Sequence, residues 1–146
     1  MDDTFDRMTL SDLDAVLEIE KASFTQPWTR EMFENEILKN PFSEQTLLRV
    51  GGELAGYVSV WYMFEECHIL DLAVAPGFRR QGWGEKIIRE VIEKGRQKEV
   101  KKILLEVRES NQPARALYRK LGFLEISIRK NYYANPPENA LILQRV

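Results

Sequence analysis

Between Ile69 and Ile92 the hydrophobic period of the chain changes from two to 3.6, and the change falls on an arginine–glycine turn. The stretch is VAPGFRRQGWGEKII, Val74 to Ile88. The apolar run HILDLAVA leads into it as a strand. After Gly84, residues Ile87, Ile88, Val91 and Ile92 mark one face of a helix, with Gly95 near its end. A helix mouth exposes unpaired amides and carries about half a positive charge. Gly82 and Gly84 let backbone approach a ligand. Arg79 and Arg80 add fixed charge and forked donors. Together these describe a cradle for a diphosphate. The residues alone are equally compatible with a tight turn carrying exposed arginines. The spacing is Arg-x-x-Gly-x-Gly, not the Gly-x-Gly-x-x-Gly of a dinucleotide fold, and no Gly-Lys-Ser/Thr of a P-loop follows. Trp83, between the two glycines, is expected to pack beneath the loop.

The rest of the chain supplies the partners of this unit. A short strand is expected near Phe5 to Met8. Thr9 reads as an N-cap with Asp12 three residues on, ahead of a helix carrying Leu13, Val16, Leu17 and Ile19 to about Ala22. Thr29 caps a second helix that ends before Pro41. TLLRV and ELAGYVSVWYM flank Gly51–Gly52 as a hairpin, and HILDLAVA completes a meander. KKILLEVR is a strand. Asn111 to Leu121 is a helix with Pro113 in its first turn and Gly122 just past its end. FLEISIRK and ALILQRV close the chain as strands around an aromatic loop, NYYANPPEN. The expected order is β-α-α-β-β-β-α-β-α-β-β. This is an α/β (α+β) fold with a mixed sheet of about seven strands and four helices, forming one domain over residues 1–146.

With 146 residues, 44% of them hydrophobic, the chain can bury a full core. A net charge of −2 gives no global pull toward nucleic acid or an acidic membrane, so neither is an expected partner and any anion site is local. One cysteine, Cys67, rules out an internal disulfide and fits a reducing cytoplasm. No segment approaches the roughly 20 apolar residues of a membrane span, and MDDTFDRMTL lacks the regions of a signal peptide. Cys67 and His68, side by side on a strand, cannot make a good zinc site, and no metal is expected. The oligomeric state stays open, with a monomer favoured.

The Arg-x-x-Gly-x-Gly turn after LAVAP resembles the acetyl-CoA signature of the GNAT acetyltransferase superfamily, and the element order resembles its fold. LEVRESNQPARALYRKLGF, Leu105 to Phe123, is similar to the GNAT segment of strand, asparagine turn and Ala-x-x-Leu-Tyr helix. RKNYY with ENALIL, and FTQPWT, resemble the ribosomal-protein-alanine N-acetyltransferase (RimI) family and its archaeal N-terminal acetyltransferase counterparts. The resemblance runs from about Met8 to the C-terminus. It implies acetyl-CoA as co-substrate, with its diphosphate on backbone amides of Arg80, Gln81, Gly82, Trp83, Gly84 and Glu85 and with Arg79 beside it. It implies a pantetheine arm lying along Leu72, Ala73 and Val74 like an added strand, and a contact from Asn111. It implies Glu106 as general base and Tyr118 as general acid. It implies a protein N-terminus as substrate, the alanine of ribosomal protein bS18, held in a slot too narrow for a lysine side chain.

The chemistry asks for such groups. α-Amines titrate near about 8 and lysine near about 10.4, so an attacking amine must lose a proton. A carboxylate within reach, directly or through one water, is a suitable base. By alternation Glu106 shares a strand face with Leu104 and Arg108, which suits an exposed residue as well as a cleft base. Tyr118 falls on a stripe with Ala114, Leu117 and Leu121, the pattern of a core tyrosine. Only the resemblance makes it a proton donor to a leaving thiolate. A free amide near Leu72 can serve a developing oxyanion. Trp28, Tyr132 and Tyr133 flank the expected cleft as substrate contacts or as ordinary packing. Ala134 and Asn135 stand where RimI proteins usually have proline, which leaves substrate detail open. Glu65, Glu66 and Asp71 read as a solvated edge that could instead draw a basic peptide. A small-amine or lysine acetyltransferase, an enzyme acting on a broader set of protein N-termini, and a non-catalytic acyl-CoA-binding module are the competing expectations.

Overall fold

The meander expected between Thr46 and Ala75 forms the centre of a seven-stranded sheet in a computed structural model that describes residues 2–146. The elements are β1 Asp3–Arg7, α1 Leu13–Ser23, α2 Arg30–Lys39, β2 Ser43–Val50, β3 Glu53–Met63, β4 Glu66–Val74, α3 Trp83–Gln97, β5 Lys102–Arg108, α4 Gln112–Lys120, β6 Leu124–Tyr133 and β7 Glu138–Arg145. Two 3₁₀ turns, Leu10–Asp12 and Pro76–Phe78, lead out of β1 and β4. The order across the sheet is β1-β2-β3-β4-β5-β7-β6. Every pairing is antiparallel except β4 with β5. The expected mixed sheet, four helices and element order are thus those observed.

Each face of the sheet carries its own core. Ile87, Ile88 and Val91 of α3 bury against Cys67, Ile69, Leu105, Val107 and Leu143, with Leu117 and Tyr118 of α4 alongside. Leu13, Val16 and Ile19 of α1 and Phe33 of α2 bury against Leu47, Tyr57 and Ala73 on the opposite face. Period-two alternation in β5 sends Ile103, Leu105 and Val107 to the α3 side and leaves Glu106 and Arg108 on the other.

The β4–β5 ladder is short. It pairs Glu66 with Lys102, Cys67 with Ile103 and His68 with Leu104, and goes no further. Just beyond, the β3–β4 register shifts so that Ser59 faces Asp71 and Val60 faces Ile69, leaving Leu70 as the extra residue. A bulge bends its strand and raises its twist, so β4 turns away from β5 at this point. The segment Leu72–Val74 keeps β3 as neighbour but has no pairing with β5. Gly56 of β3 holds this segment close. A Cβ there would lie 2.7 Å from the Ala73 carbonyl oxygen and 2.9 Å from Ile87 Cδ1, so only glycine lets the two strands and α3 meet.

Two boundaries differ from the sequence reading. The stretch read as an aromatic loop is mostly strand, because β6 runs to Tyr133 and β7 starts at Glu138. Between the Arg129–Ala140 and Tyr133–Glu138 pairs the register shifts. Asn131 takes a left-handed φ of 54° there, and its amide donates to Asn139 Oδ1 at 2.9 Å. A polar residue suited to positive φ looks like a loop in sequence but here accommodates a bulge. At the other end, the Thr9 cap opens a 3₁₀ turn before α1, with Asp12 Oδ2 accepting the Thr9 N–H at 2.8 Å.

Candidate active site

The pairing of β4 with β5 ends at His68 and Leu104, and the arginine–glycine loop follows the end of β4. Gly82 is the residue before α3, with φ +86°, and no atom lies within 4 Å of where a Cβ would be. The first intrahelical bond runs from Lys86 N–H to the Gly82 carbonyl at 3.2 Å. The amides of Trp83, Gly84 and Glu85 therefore precede the helical ladder, at the positive end of α3. Arg80 is exposed, has φ +63°, and its side chain has no hydrogen bond or ion pair among the described residues. These features fit a phosphate-sized anion held by backbone.

Other side chains around the loop are tied to the protein by bonds of their own. The Arg79 guanidinium donates from Nε to the Val74 carbonyl at 3.0 Å and from Nη2 to Ser23 Oγ at 2.9 Å. It straps the end of β4 to the end of α1. Gln81 donates to the Gly77 carbonyl at 3.2 Å and accepts the Trp83 indole N–H at 3.3 Å. Trp83 is half-buried against the α3-side core, as expected of an indole under the loop. Glu85 receives Lys120 Nζ at 2.8 Å and Arg89 Nε at 2.9 Å, and these two cations hold its carboxyl below the usual range. The Asn111 side-chain oxygen caps α4 by accepting the Ala114 N–H at 3.2 Å, so its amide NH₂ is the part left to meet a ligand.

Glu106 lies exposed on β5, and its Oε1 accepts Arg129 Nη1 of β6 at 3.0 Å. Hydrogen bonding to Glu106, then burial, raises the Tyr132 hydroxyl above its ordinary range. Tyr132 and Tyr133 meet edge to face at 5.1 Å. Arg129 stacks on Tyr132 at 4.5 Å and Arg108 on Tyr133 at 4.4 Å. Tyr118 packs edge-on to Phe123 at 5.5 Å, and burial, with Tyr133 nearby, pushes its hydroxyl up to about 12. Burial also pushes the Cys67 thiol up to about 12, so it is neither thiolate nor nucleophile at neutral pH. Among the described residues no group of three or more His, Cys, Asp or Glu side chains could hold a metal.

One acidic site escaped the sequence reading. Asp71, read there as part of a solvated edge, is buried at 8% exposure. Glu65 and Glu66 do stay at the surface, paired with Lys101 and His68. Asp71 sits beside Glu20 of α1, which is only 1% exposed. Glu20 accepts the Tyr57 hydroxyl at 2.6 Å and the Trp28 backbone N–H at 2.9 Å. Trp28 thereby joins the core face, its ring 5.0 Å from Phe33. The signal was present: Glu20 continues the Leu13–Val16–Leu17 stripe of α1, and Asp71 interrupts an apolar strand.

Burial first, then the bond and charge of Glu20, raise the Asp71 carboxyl far above its ordinary 3.8, so it holds a proton at neutral pH. The unfolded chain has lost that proton, so folding takes one up, and stability falls as pH rises from the carboxylate range toward alkaline values. Asp71 Oδ2 also has no hydrogen-bond partner. Asp71→Asn keeps a donor toward Glu20 and removes the titration. We expect it to stabilise the fold by about 1–3 kcal/mol at pH 8, with a smaller gain at pH 5, in thermal or urea unfolding. An equal loss of stability at both pH values would rule this out.

With this geometry in hand, comparison with known proteins is specific. Residues 13–123 match the Acetyltransferase (GNAT) family. A Bacillus subtilis (strain 168) protein, provisionally named a ribosomal protein bS18-alanine N-acetyltransferase, is 42% identical over 136 residues, 93% of this chain and 90% of its own. The ribosomal protein bS18-alanine N-acetyltransferase of Escherichia coli (strain K12) is 32% identical over 142 residues, 96% of this chain and 95% of its own. The crystal structure of the Escherichia coli ribosomal-protein-S18-alanine N-acetyltransferase superposes with a TM-score of 0.91 at 30% identity, over 99% of this chain and 93% of that one. Ard1 from Thermoplasma volcanium superposes with a TM-score of 0.88 at 27% identity, over 98% of this chain and 96% of that one. The family match over residues 13–123 and relatives at 32% and 42% identity over most of the chain agree with the observed fold: this protein belongs to the GNAT family of acetyltransferases.

Proposed function

We propose that the protein transfers the acetyl group of acetyl-CoA to the α-amine of a protein N-terminus, the alanine of ribosomal protein bS18, in the cytoplasm. The observation that carries this reading is the parting of β4 and β5 after His68 and Leu104, beside a helix-mouth cradle. Acetyl-CoA brings an activated thioester. The amides at Gly82 to Glu85 would hold its diphosphate. The unpaired edge at Leu72, Ala73 and Val74 would hold the pantetheine arm. The naming of relatives at 32% and 42% identity for bS18-alanine acetylation supports the choice of substrate.

In this reading Glu106 takes the proton of the attacking amine, directly or through one water. Arg129 fixes the carboxylate and so sets its direction of approach. Tyr118 stays protonated at neutral pH, the state a donor to the departing sulfur needs. An amide near Leu72 faces the developing negative charge on the acetyl oxygen. The amine attacks directly, and the buried, protonated Cys67 takes no part.

The deciding experiment is turnover of acetyl-CoA against hexapeptides varied at their first residue, with mass spectrometry to locate the acetyl group. Alanine-ended peptides carrying the bS18 sequence are expected to react fastest, with the label on the α-nitrogen. Faster reaction of lysine side chains or free small amines would overturn the assignment. Binding of CoA without turnover would leave only an acyl-CoA-binding module.

A further inference from the structure

Arg108 lies two residues after Glu106 on the same face of β5 and touches two segments far apart in the chain. Its Nη1 donates to the Pro136 carbonyl at 3.0 Å and to Glu138 Oε1 at 3.2 Å. Its Nη2 donates to the Ala134 carbonyl at 3.1 Å and to Thr25 Oγ1 at 3.4 Å. Its guanidinium plane covers the Tyr133 ring at 4.4 Å. Among the described residues Arg108 is the one side chain that hydrogen-bonds both to the α1–α2 connection, residues 24–29, and to the β6–β7 turn, residues 134–137. The first segment carries Phe24 and Trp28, and the second follows directly on Tyr132 and Tyr133 at the end of β6. A planar fork with donors on both terminal nitrogens and a face that stacks can hold such a junction. A lysine ammonium, one point of charge on a flexible stem, cannot.

We infer that Arg108 is a positioning residue that sets the distance between the two walls of the peptide slot, and so the enzyme's discrimination for a small first residue. The inference rests on the N-terminal acetyltransferase reading above. It is specific to the slot: no Arg108 contact reaches the arginine–glycine loop. It also accounts for the position of Tyr133, pinned between Arg108 on one side and Tyr132 on the other.

The test uses Arg108→Lys, Arg108→Met and Thr25→Val in the full chain, with an alanine-ended hexapeptide, a lysine side-chain peptide and acetyl-CoA. Both Arg108 variants are expected to raise the peptide KM by about 10-fold or more, since misplacement by about 1 Å can cost on the order of 10²-fold. The acetyl-CoA KM should stay at the wild-type value, and the preference for the alanine-ended peptide should shrink. Thr25→Val should give a smaller change in the same direction. Amide hydrogen exchange should speed up at residues 24–28 and 134–137 in Arg108→Met while β2, β3 and α3 keep wild-type protection. Arg108→Lys with wild-type KM and preference would overturn the inference, because charge without the fork would then suffice. Unchanged loop exchange in Arg108→Met would overturn it as well, independently of any substrate. Failure of the underlying reading shows elsewhere, as a wild-type enzyme that acetylates no α-amine peptide.

Discussion

Glu106→Gln is expected to lower kcat for the alanine-ended peptide by about 10²–10⁴-fold, the span that a positioned general base contributes. The dissociation constant for acetyl-CoA should stay within about twofold of wild type, a difference under about 0.5 kcal/mol. The substitution keeps the shape of the side chain, and its carbonyl oxygen can still accept from Arg129, which holds Glu106 at 3.0 Å. The neighbouring Tyr132–Tyr133 pair and the Arg108 stack are left as they are. What is lost is the ability to take a proton from an amine that is largely protonated at neutral pH. The loss should therefore be smaller at high pH, where the free amine is abundant. Stopped-flow turnover from pH 6.5 to 9.5, with calorimetric acetyl-CoA binding alongside, reads both quantities. Unchanged kcat at neutral pH would remove Glu106 as the base. A loss of equal size across the whole pH range would assign it to binding or geometry instead.

The role of base came from the family resemblance and not from alternation, but strand alternation in LEVR already separates Glu106 and Arg108 from the buried Ile103, Leu105 and Val107. Much of the fold was legible for the same reason. Apolar period, glycine turns and threonine caps are local signals, and most of them agree with the tertiary structure. The misreadings share a cause. The bulge at Asn131 depends on how β7 registers against β6, and the burial of Asp71 depends on α1 placing Glu20 beside it. The extra residue at Leu70, which parts β4 from β5, leaves no mark in HILDLAVA because a bulge needs no special residue type. The tie of Arg79 to Ser23, 56 positions earlier in the chain, is likewise a contact no spacing rule reports. The helix mouth after Gly82 was readable from the glycines and the apolar period, whereas the bonds that Arg79 and Gln81 make around it were not.

The largest effect on binding is expected at Gly82. In Gly82→Asp the left-handed φ of +86° costs the new residue about 1–2 kcal/mol. Part of this is returned, because an acidic side chain at a helix N-terminus gains about 0.3–1 kcal/mol from the dipole. Folding should therefore be only mildly weakened, and no neighbour lies within 4 Å to be displaced. That same open space is what a bound phosphate needs. A carboxylate about 4 Å from a phosphate charge meets a repulsion on the order of 4 kcal/mol near a protein surface, before screening by salt. The acetyl-CoA Kd should rise by about 10²-fold or more, each tenfold being about 1.4 kcal/mol, with most of the increase lost at high ionic strength. Gly82→Asn separates the causes: asparagine tolerates positive φ and carries no charge, so it should weaken binding by bulk alone and show little salt dependence. Fluorescence or calorimetric titration of both variants in low and high salt, with thermal unfolding as the control for folding, gives the comparison. A wild-type Kd in Gly82→Asp would mean that the anion does not sit on the mouth of α3. The unpaired edge of β4 would then have no anchor to lead a pantetheine arm toward Glu106.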